Sequence, residues 1–180
     1  MDQGTPGQPE QPEHGGSDRH VVFLMRHARA EEIRPGEPDQ NRELTDTGRA
    51  QSATVADWLR ARGDTVDLAL CSPAVRAVET LHTVAPQVPA RTVEELYNCG
   101  SDTILDHLHL LDEPTRTALV VAHAPGIPAL TWDLVERNGS DQTAKAQIAH
   151  RFPPGTIVRL EFTGPWAGLD RARLTHAHVE

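Results

Sequence analysis

At 180 residues, with 38% apolar and 24% charged residues, the chain has the length and composition of one globular domain. It holds no run near the roughly 18 apolar residues of a membrane span, and its polar start does not resemble a secretory leader, so the expected compartment is the cytoplasm. A formal charge of −9 disfavours nucleic acid and membranes as partners, and would repel phosphorylated molecules unless a local cluster of arginines reverses the sign.

Residues 1–18 hold four Gly and three Pro and lack Val, Ile, Leu and Phe. Such a segment cannot bury enough surface to offset its ordering entropy and reads as a disordered tail, extended where Pro6, Pro9 and Pro12 recur. Residues 19–180 read as one domain. Val21 to Met25 is a continuous apolar run, the pattern of a strand buried on both faces. A polar, Pro-interrupted loop follows from Ala30 to Glu43. Thr45 or Asp46 then caps a helix with Val55, Trp58 and Leu59 at helical spacing, stopped by Gly63. Val66 to Cys71 reads as a second strand. Ser72 and Pro73 have the residue types of a helix cap and first helical position, opening a helix to about Ala85. Thr92 to Leu96 reads as a short strand, Ser101 to Leu111 as a helix, Thr117 to Ala122 as a third apolar strand and Pro125 to about Arg137 as a helix. Alternation over Ile148–Phe152 and Thr156–Phe162, around Pro153-Pro154-Gly155, suggests a hairpin or an edge strand. Strands alternating with helices predict an α/β fold, a three-layer α/β/α arrangement with a mostly parallel sheet.

In open α/β sheets, ligands bind beyond the carboxyl ends of the strands. Here those ends carry Arg26-His27, then Ser72-Pro73 with Arg76 one turn on, then His123. A helical side chain leans toward its helix N-terminus, so Arg76 would bring its guanidinium level with the helix opening, where the dipole already favours an anion. Arg26 adds a second planar fork suited to phosphate oxygens. A neutral imidazole with one nitrogen protonated and the other aimed at phosphorus is a competent nucleophile, and neighbouring arginines help keep it neutral. His27 fits that role, with His123 placed to steady the charge on the transferring group.

These residues fall within four stretches that resemble, in order, motifs of the histidine phosphatase superfamily, which has the phosphoglycerate mutase-like fold. They are Leu24-Met25-Arg26-His27-Ala28, Leu44-Thr45-Asp46-Thr47-Gly48-Arg49-Ala50-Gln51, Ser72-Pro73-Ala74-Val75-Arg76-Ala77-Val78-Glu79-Thr80 and Val120-Val121-Ala122-His123. The resemblance spans most of residues 20–165. It implies a phosphatase that forms a phosphohistidine on His27, with Arg26, Arg76 and His123 as phosphate pocket and Arg42 lining the substrate mouth. Compact size and the Glu95-Leu96-Tyr97-Asn98-Cys99-Gly100 stretch look most like the SixA-type phosphohistidine phosphatases. The resemblance has two departures. Ala28 stands where the family usually has Gly, and the Leu96–Gly100 region offers Tyr97 and Asn98 where members acting on alcohol phosphates carry an acid.

An alkoxide leaving group needs a proton in the transition state, whereas imidazole, with a pKa of about 6.5, needs far less help. The expected substrate is therefore a phosphohistidine-bearing protein or another activated phosphate, hydrolysed without a metal ion. The alternatives are a phosphomonoesterase acting on small molecules with Glu95 or Asp102 as general acid, and a non-catalytic phosphoprotein-binding module. His107-x-His109 and His176-x-His178 are not expected to bind metal: the first pair points to different helix faces and the second lies near a chain end. Glu31-Glu32 reads as solvated charge, Gly126 and Gly155 as turn residues, and Cys71 and Cys99 as buried thiols. No glycine-rich nucleotide fingerprint is present, and no cofactor is expected.

Overall fold

The structure, a computed structural model, describes residues 18–180; the expected tail at 1–18 lies almost wholly outside the described residues. Six strands form one sheet in the order β3-β2-β4-β1-β5-β6: β1 (Arg19–Arg26), β2 (Leu68–Cys71), β3 (Ala90–Thr92), β4 (Thr117–Ala122), β5 (Ile157–Thr163) and β6 (Arg173–His178). The first four run parallel, β5 is antiparallel to β1, and β6 is antiparallel to β5.

Helices cover both faces, as the continuous apolar strands require. On one face α1 (Asp46–Arg62) and α2 (Val75–Val84) pack Val55, Leu59, Ala77 and Leu81 against Phe23, Met25, Leu119 and Val121. On the other, α3 (Ser101–His109), α4 (Gly126–Leu134) and α5 (Gln142–Ile148) bring Ile104, Leu108, Ile127, Leu130 and Ile148 onto Val22, Leu24 and Val120. Successive residues of β1 thus feed alternate cores, which explains a strand with no polar face. No helix among the described residues is long and apolar enough to cross a membrane.

Thr45 is the cap of α1, its Oγ1 accepting from the Gly48 amide, and Gly63 ends the helix in the left-handed region with φ 69°. Elsewhere the structure departs from the sequence reading. The strand expected at Thr92–Leu96 lies earlier, at Ala90–Thr92, and Glu94–Leu96 is a 3-10 turn. Helix α4 stops at Leu134, three residues short of Arg137, and Gly126 is its first residue rather than part of a turn. Residues 148–152 are not a strand: α5 occupies 142–148, capped by Asp141, and the partner of β5 is β6 at the carboxyl end. β6 is an edge strand with one fully buried residue, Leu174, and Thr175, His176 and His178 interrupt its apolar pattern, so its apolar signal is too weak to read.

Gly48 fixes how the loop after β1 meets α1. A Cβ there would stand 2.0 Å from the Arg29 carbonyl oxygen and 2.9 Å from its carbon. Gly48→Ala is therefore expected to destabilise the protein by about 1–3 kcal/mol, the usual scale of overpacking against backbone. It should also lower turnover, because Arg29 lies two residues beyond His27. An unchanged denaturant midpoint would contradict this packing.

Candidate active site

The carboxyl ends of β1, β4 and β2 are neighbours in the sheet, so the residues that leave them meet. His27 N–H donates to the Ala122 carbonyl and Ser72 N–H to the Val121 carbonyl, each at 3.0 Å. His27 and His123 come together with ring centroids 5.0 Å apart, and the Arg76 guanidinium lies against both. Arg26, Arg29 and Arg42 complete a cationic opening of about 330 Å³ that also takes in Asp39 and Asn98. All five sequence-derived site residues, His27, His123, Arg26, Arg76 and Arg42, thus share one pocket. A larger concavity, about 680 Å³, lies by Trp132 and Lys145 and has no histidine in its lining.

His27 Nδ1 is 2.7 Å from the Ala28 carbonyl oxygen. A carbonyl only accepts, so in the neutral ring Nδ1 carries the proton and Nε2 presents its lone pair. Arg76 Nε–H points at that lone pair from 3.3 Å. The backbone behind the ring is held too: Ala28 N–H donates to Thr80 Oγ1 at 3.1 Å, and the Thr80 hydroxyl donates to the Arg76 carbonyl at 2.6 Å. Ala28 keeps an ordinary backbone, since Asn98 is the one non-glycine residue with positive φ among those described. The Gly-to-Ala departure therefore costs no strain at this position.

His123 faces Arg76 Nη2 with Nδ1 at 3.4 Å and Ser72 Oγ with Nε2 at 2.7 Å. A guanidinium only donates, so neutral His123 carries its proton on Nε2 and gives it to Ser72. Burial, first, and then the nearby Arg76 and Arg26 push His27 down to about 4. Burial, the facing His27 and Arg76 push His123 down to about 3. Both rings are neutral at pH 7.

Arg26 donates from Nη1 to the Phe152 carbonyl at 2.7 Å, while its buried Nε–H has no acceptor among the described residues. Arg42 bonds the Glu31 carbonyl and, through Nε, Asp39 Oδ1 at 2.8 Å. Ser72 does not cap α2: the helix begins at Val75 after Ala74, which makes Arg76 its second residue rather than its fourth. The hydroxyl is instead engaged by His123, and Arg76 still reaches the pocket from the first turn.

Asp39 is the residue that sequence reasoning missed. The 3-10 turn at Asp39–Asn41 carries it against α2, where Oδ2 accepts from Arg76 Nη2 at 2.9 Å and from the Tyr97 hydroxyl at 2.7 Å. The Tyr97 hydroxyl, Arg76 and Arg42 hold its carboxyl far below the usual range. The signal was the Asp39–Arg42 spacing, which fits one helical turn inside an apparently plain loop. Thr80 was more legible, four residues past Arg76 on the same helix face.

The two suggested acids lie outside this pocket. Glu95 is exposed and pairs with His107 at 3.9 Å, and Asp102 is exposed in the first turn of α3. His109 turns instead to the Leu169 carbonyl, so His107 and His109 do not converge. Among the described residues, no group of three or more His, Cys, Asp or Glu is gathered as a metal site. Cys71 is buried, its thiol pushed up to about 12 by burial, and Cys99 is half-buried.

The family model "Histidine phosphatase superfamily (branch 1)" matches residues 22–102. SixA of Escherichia coli, a phosphohistidine phosphatase, is 32% identical over 119 residues, which are 63% of this chain and 73% of SixA. The chain belongs to the histidine phosphatase superfamily. Protein Rv1276c of Mycobacterium tuberculosis is 34% identical over 157 residues, covering 86% of this chain and 99% of that one. A solved structure from Nakamurella multipartitia, assigned to the SixA phosphohistidine phosphatases, superposes with a TM-score of 0.77 at 31% identity, covering 89% of this chain and 96% of the other. This histidine phosphatase is thus SixA-like in sequence and fold, and a phosphatase by family.

The two lowered imidazoles give a pH signature. The ordinary value of 6.5 applies to the unfolded chain, so as pH falls the unfolded state binds protons first. Stability contributed by these rings is unaffected above about pH 6.5 and declines from there toward about pH 3. In nitrogen-detected NMR, neither His27 nor His123 is expected to titrate above pH 5, and His27 should hold its proton on Nδ1. Titration of either ring near 6.5 would contradict the site as described.

Proposed function

We propose that this histidine phosphatase removes phosphoryl groups from phosphohistidine-bearing protein or a comparably activated phosphate, through a phosphohistidine on its own His27, without a metal ion. The observation that carries this reading is the state of the one carboxylate in the pocket. Asp39 already accepts hydrogen bonds from Arg76, Tyr97 and Arg42 Nε, with Arg42 Nη2 a further ion-pair contact at 2.8 Å, and these donors keep it ionised. It has no proton to give an alkoxide. A substrate whose leaving group departs without a strong acid suits such a site.

The substrate phosphoryl docks on Arg26 and on the edge of Arg76 that faces the histidines, and its oxygens satisfy the idle Arg26 Nε–H. His27 Nε2 attacks in line, forming its bond to phosphorus as the substrate's P–N bond breaks. The departing imidazole nitrogen takes its proton from solvent. Through the step His27 keeps Nδ1–H on the Ala28 carbonyl, which spreads the charge gained by the ring. The arriving dianion favours protonation of His123 on Nδ1, turning that nitrogen into a donor for a phosphoryl oxygen. Water then attacks phosphorus, and His27 leaves as the neutral ring it was. Arginine charge does the work that a metal ion does elsewhere.

Beside the pocket, Glu31, Glu32, Glu37 and Glu43 line a second opening with Arg34 and Arg42. This acidic surround disfavours small substrates with extra anionic groups next to the phosphate, and tolerates a protein segment. The free thiols Cys71 and Cys99 agree with a cytoplasmic setting.

The test is a substrate panel in chelator, comparing a phosphohistidine peptide with sugar and alkyl phosphates. Release from the peptide with kcat/KM well above the others supports the proposal. Preference for alkyl or sugar phosphates would favour the phosphomonoesterase reading, and binding without release a recognition module. His27→Ala should lower turnover by at least about 10³-fold, the scale for loss of a covalent nucleophile, at unchanged stability.

A further inference from the structure

Arg76 is almost wholly out of water, 2% exposed, and its guanidinium has two usable edges. On the outer edge Nη1 donates to the Asp39 carbonyl oxygen at 2.8 Å and Nη2 to Asp39 Oδ2 at 2.9 Å. On the inner edge Nε and Nη2 point at His27 Nε2 and His123 Nδ1 from 3.3 and 3.4 Å, both long for hydrogen bonds. The same molecule shows what that edge does when an oxyanion reaches it. In Arg159, Nε and Nη2 close on the two oxygens of Asp64, each at 2.9 Å. At Arg76 the corresponding edge is left for a ligand.

We propose that Asp39 is the positioning residue of the phosphate pocket: by gripping Arg76 through backbone and carboxylate on the outer edge, it aims the inner edge into the gap between His27 and His123. The assignment rests on the phosphoryl-transfer reading above and adds a role to a residue outside the four family-like stretches. Asp39 is itself fixed by two flanking side chains. Arg42 meets Oδ1 through Nε and Nη2, both at 2.8 Å, and the Tyr97 hydroxyl meets Oδ2. The grip ties the loop after β1 and the residue after the second 3-10 turn to the first turn of α2. Asp39 therefore acts through Arg76, without touching the phosphoryl group.

This role differs in outcome from two others that a carboxylate in this place could have. Were Asp39 a plug occupying the phosphate site, its removal would free Arg76 and raise activity. Were it only a brace for the fold, its removal would lower the folded or active fraction and leave each surviving site unchanged. A positioning residue matters most where alignment matters most, in the in-line transition state, and second-layer groups of this kind typically carry 10- to 100-fold effects.

The experiment compares the full chain with Asp39→Asn and, as a milder variant that keeps the ring, Tyr97→Phe. For each, thermal stability, kcat and KM on a phosphohistidine peptide, and inhibition by orthophosphate and by orthovanadate are measured. Orthophosphate resembles the tetrahedral ground state, and orthovanadate adopts the five-coordinate geometry of the transferring group. For Asp39→Asn, kcat should fall about 10- to 100-fold, vanadate should bind weaker by a similar factor, and phosphate inhibition should stay within about threefold. Tyr97→Phe should shift the same quantities in the same direction by less. Higher kcat/KM with tighter phosphate binding would overturn the proposal in favour of a plug. A kcat loss matched by a lost active fraction, with both inhibitors unchanged, would overturn it in favour of a brace. If the wild-type chain fails to hydrolyse the peptide, the substrate assignment fails alone, because the vanadate and phosphate comparison still reads the aim of Arg76.

Discussion

A guanidinium buried at the meeting point of three strands is the constraint on which the rest of this site depends. Arg76 cannot shed its charge, so the fold must surround it with acceptors. One edge is met in full by Asp39, and the other finds only two imidazole nitrogens at long range. The result is a cation held out of water with an incompletely satisfied face, which favours an oxyanion there more than an exposed arginine would. A chain carrying −9 overall thereby keeps a local basin of the opposite sign, reinforced by Arg26, Arg29 and Arg42.

The same helix also disciplines the proposed nucleophile. Thr80, one turn beyond Arg76, ties the Arg76 carbonyl to the Ala28 amide, and the Ala28 carbonyl fixes the His27 tautomer. Phosphate fork and imidazole are thus set by one continuous network, and a shift of α2 would move both. Burial and the arginines act in concert on the rings: they keep both neutral before a phosphoryl group arrives, and so leave a lone pair on Nε2 of His27, the proposed nucleophile.

Much of this was legible in the sequence because it is local. Strand runs ending in Arg26-His27, Ser72 and His123 announce three charged or polar strand ends, and parallel α/β topology makes those ends neighbours. The helical turn from Arg76 to Thr80 is likewise periodic. What escaped depends on contacts between distant segments. Asp39 sits in a loop with no apolar rhythm, 37 positions from Arg76, and its meaning comes from docking on α2. Ser72 has the residue type of a cap but serves His123, a choice decided 51 positions away. The β5–β6 pairing was misread because Phe152 and the prolines imitate a hairpin arm, while β6 is an edge strand of mostly polar residues. The Glu95 and Asp102 alternative rested on nearness in sequence, and both side chains are exposed and absent from the pocket lining.

In the proposed reaction His27 Nε2, made available by the bond from Nδ1 to the Ala28 carbonyl, is the atom that receives phosphorus. The direct measurement is phosphorus–nitrogen coupling in the enzyme labelled with nitrogen-15 in its histidines and quenched in alkali during turnover of a phosphohistidine peptide. A one-bond coupling to Nε2 of His27 is predicted. Coupling to Nδ1 of His27, coupling to His123, or hydrolysis without any N-phosphoryl enzyme would contradict it.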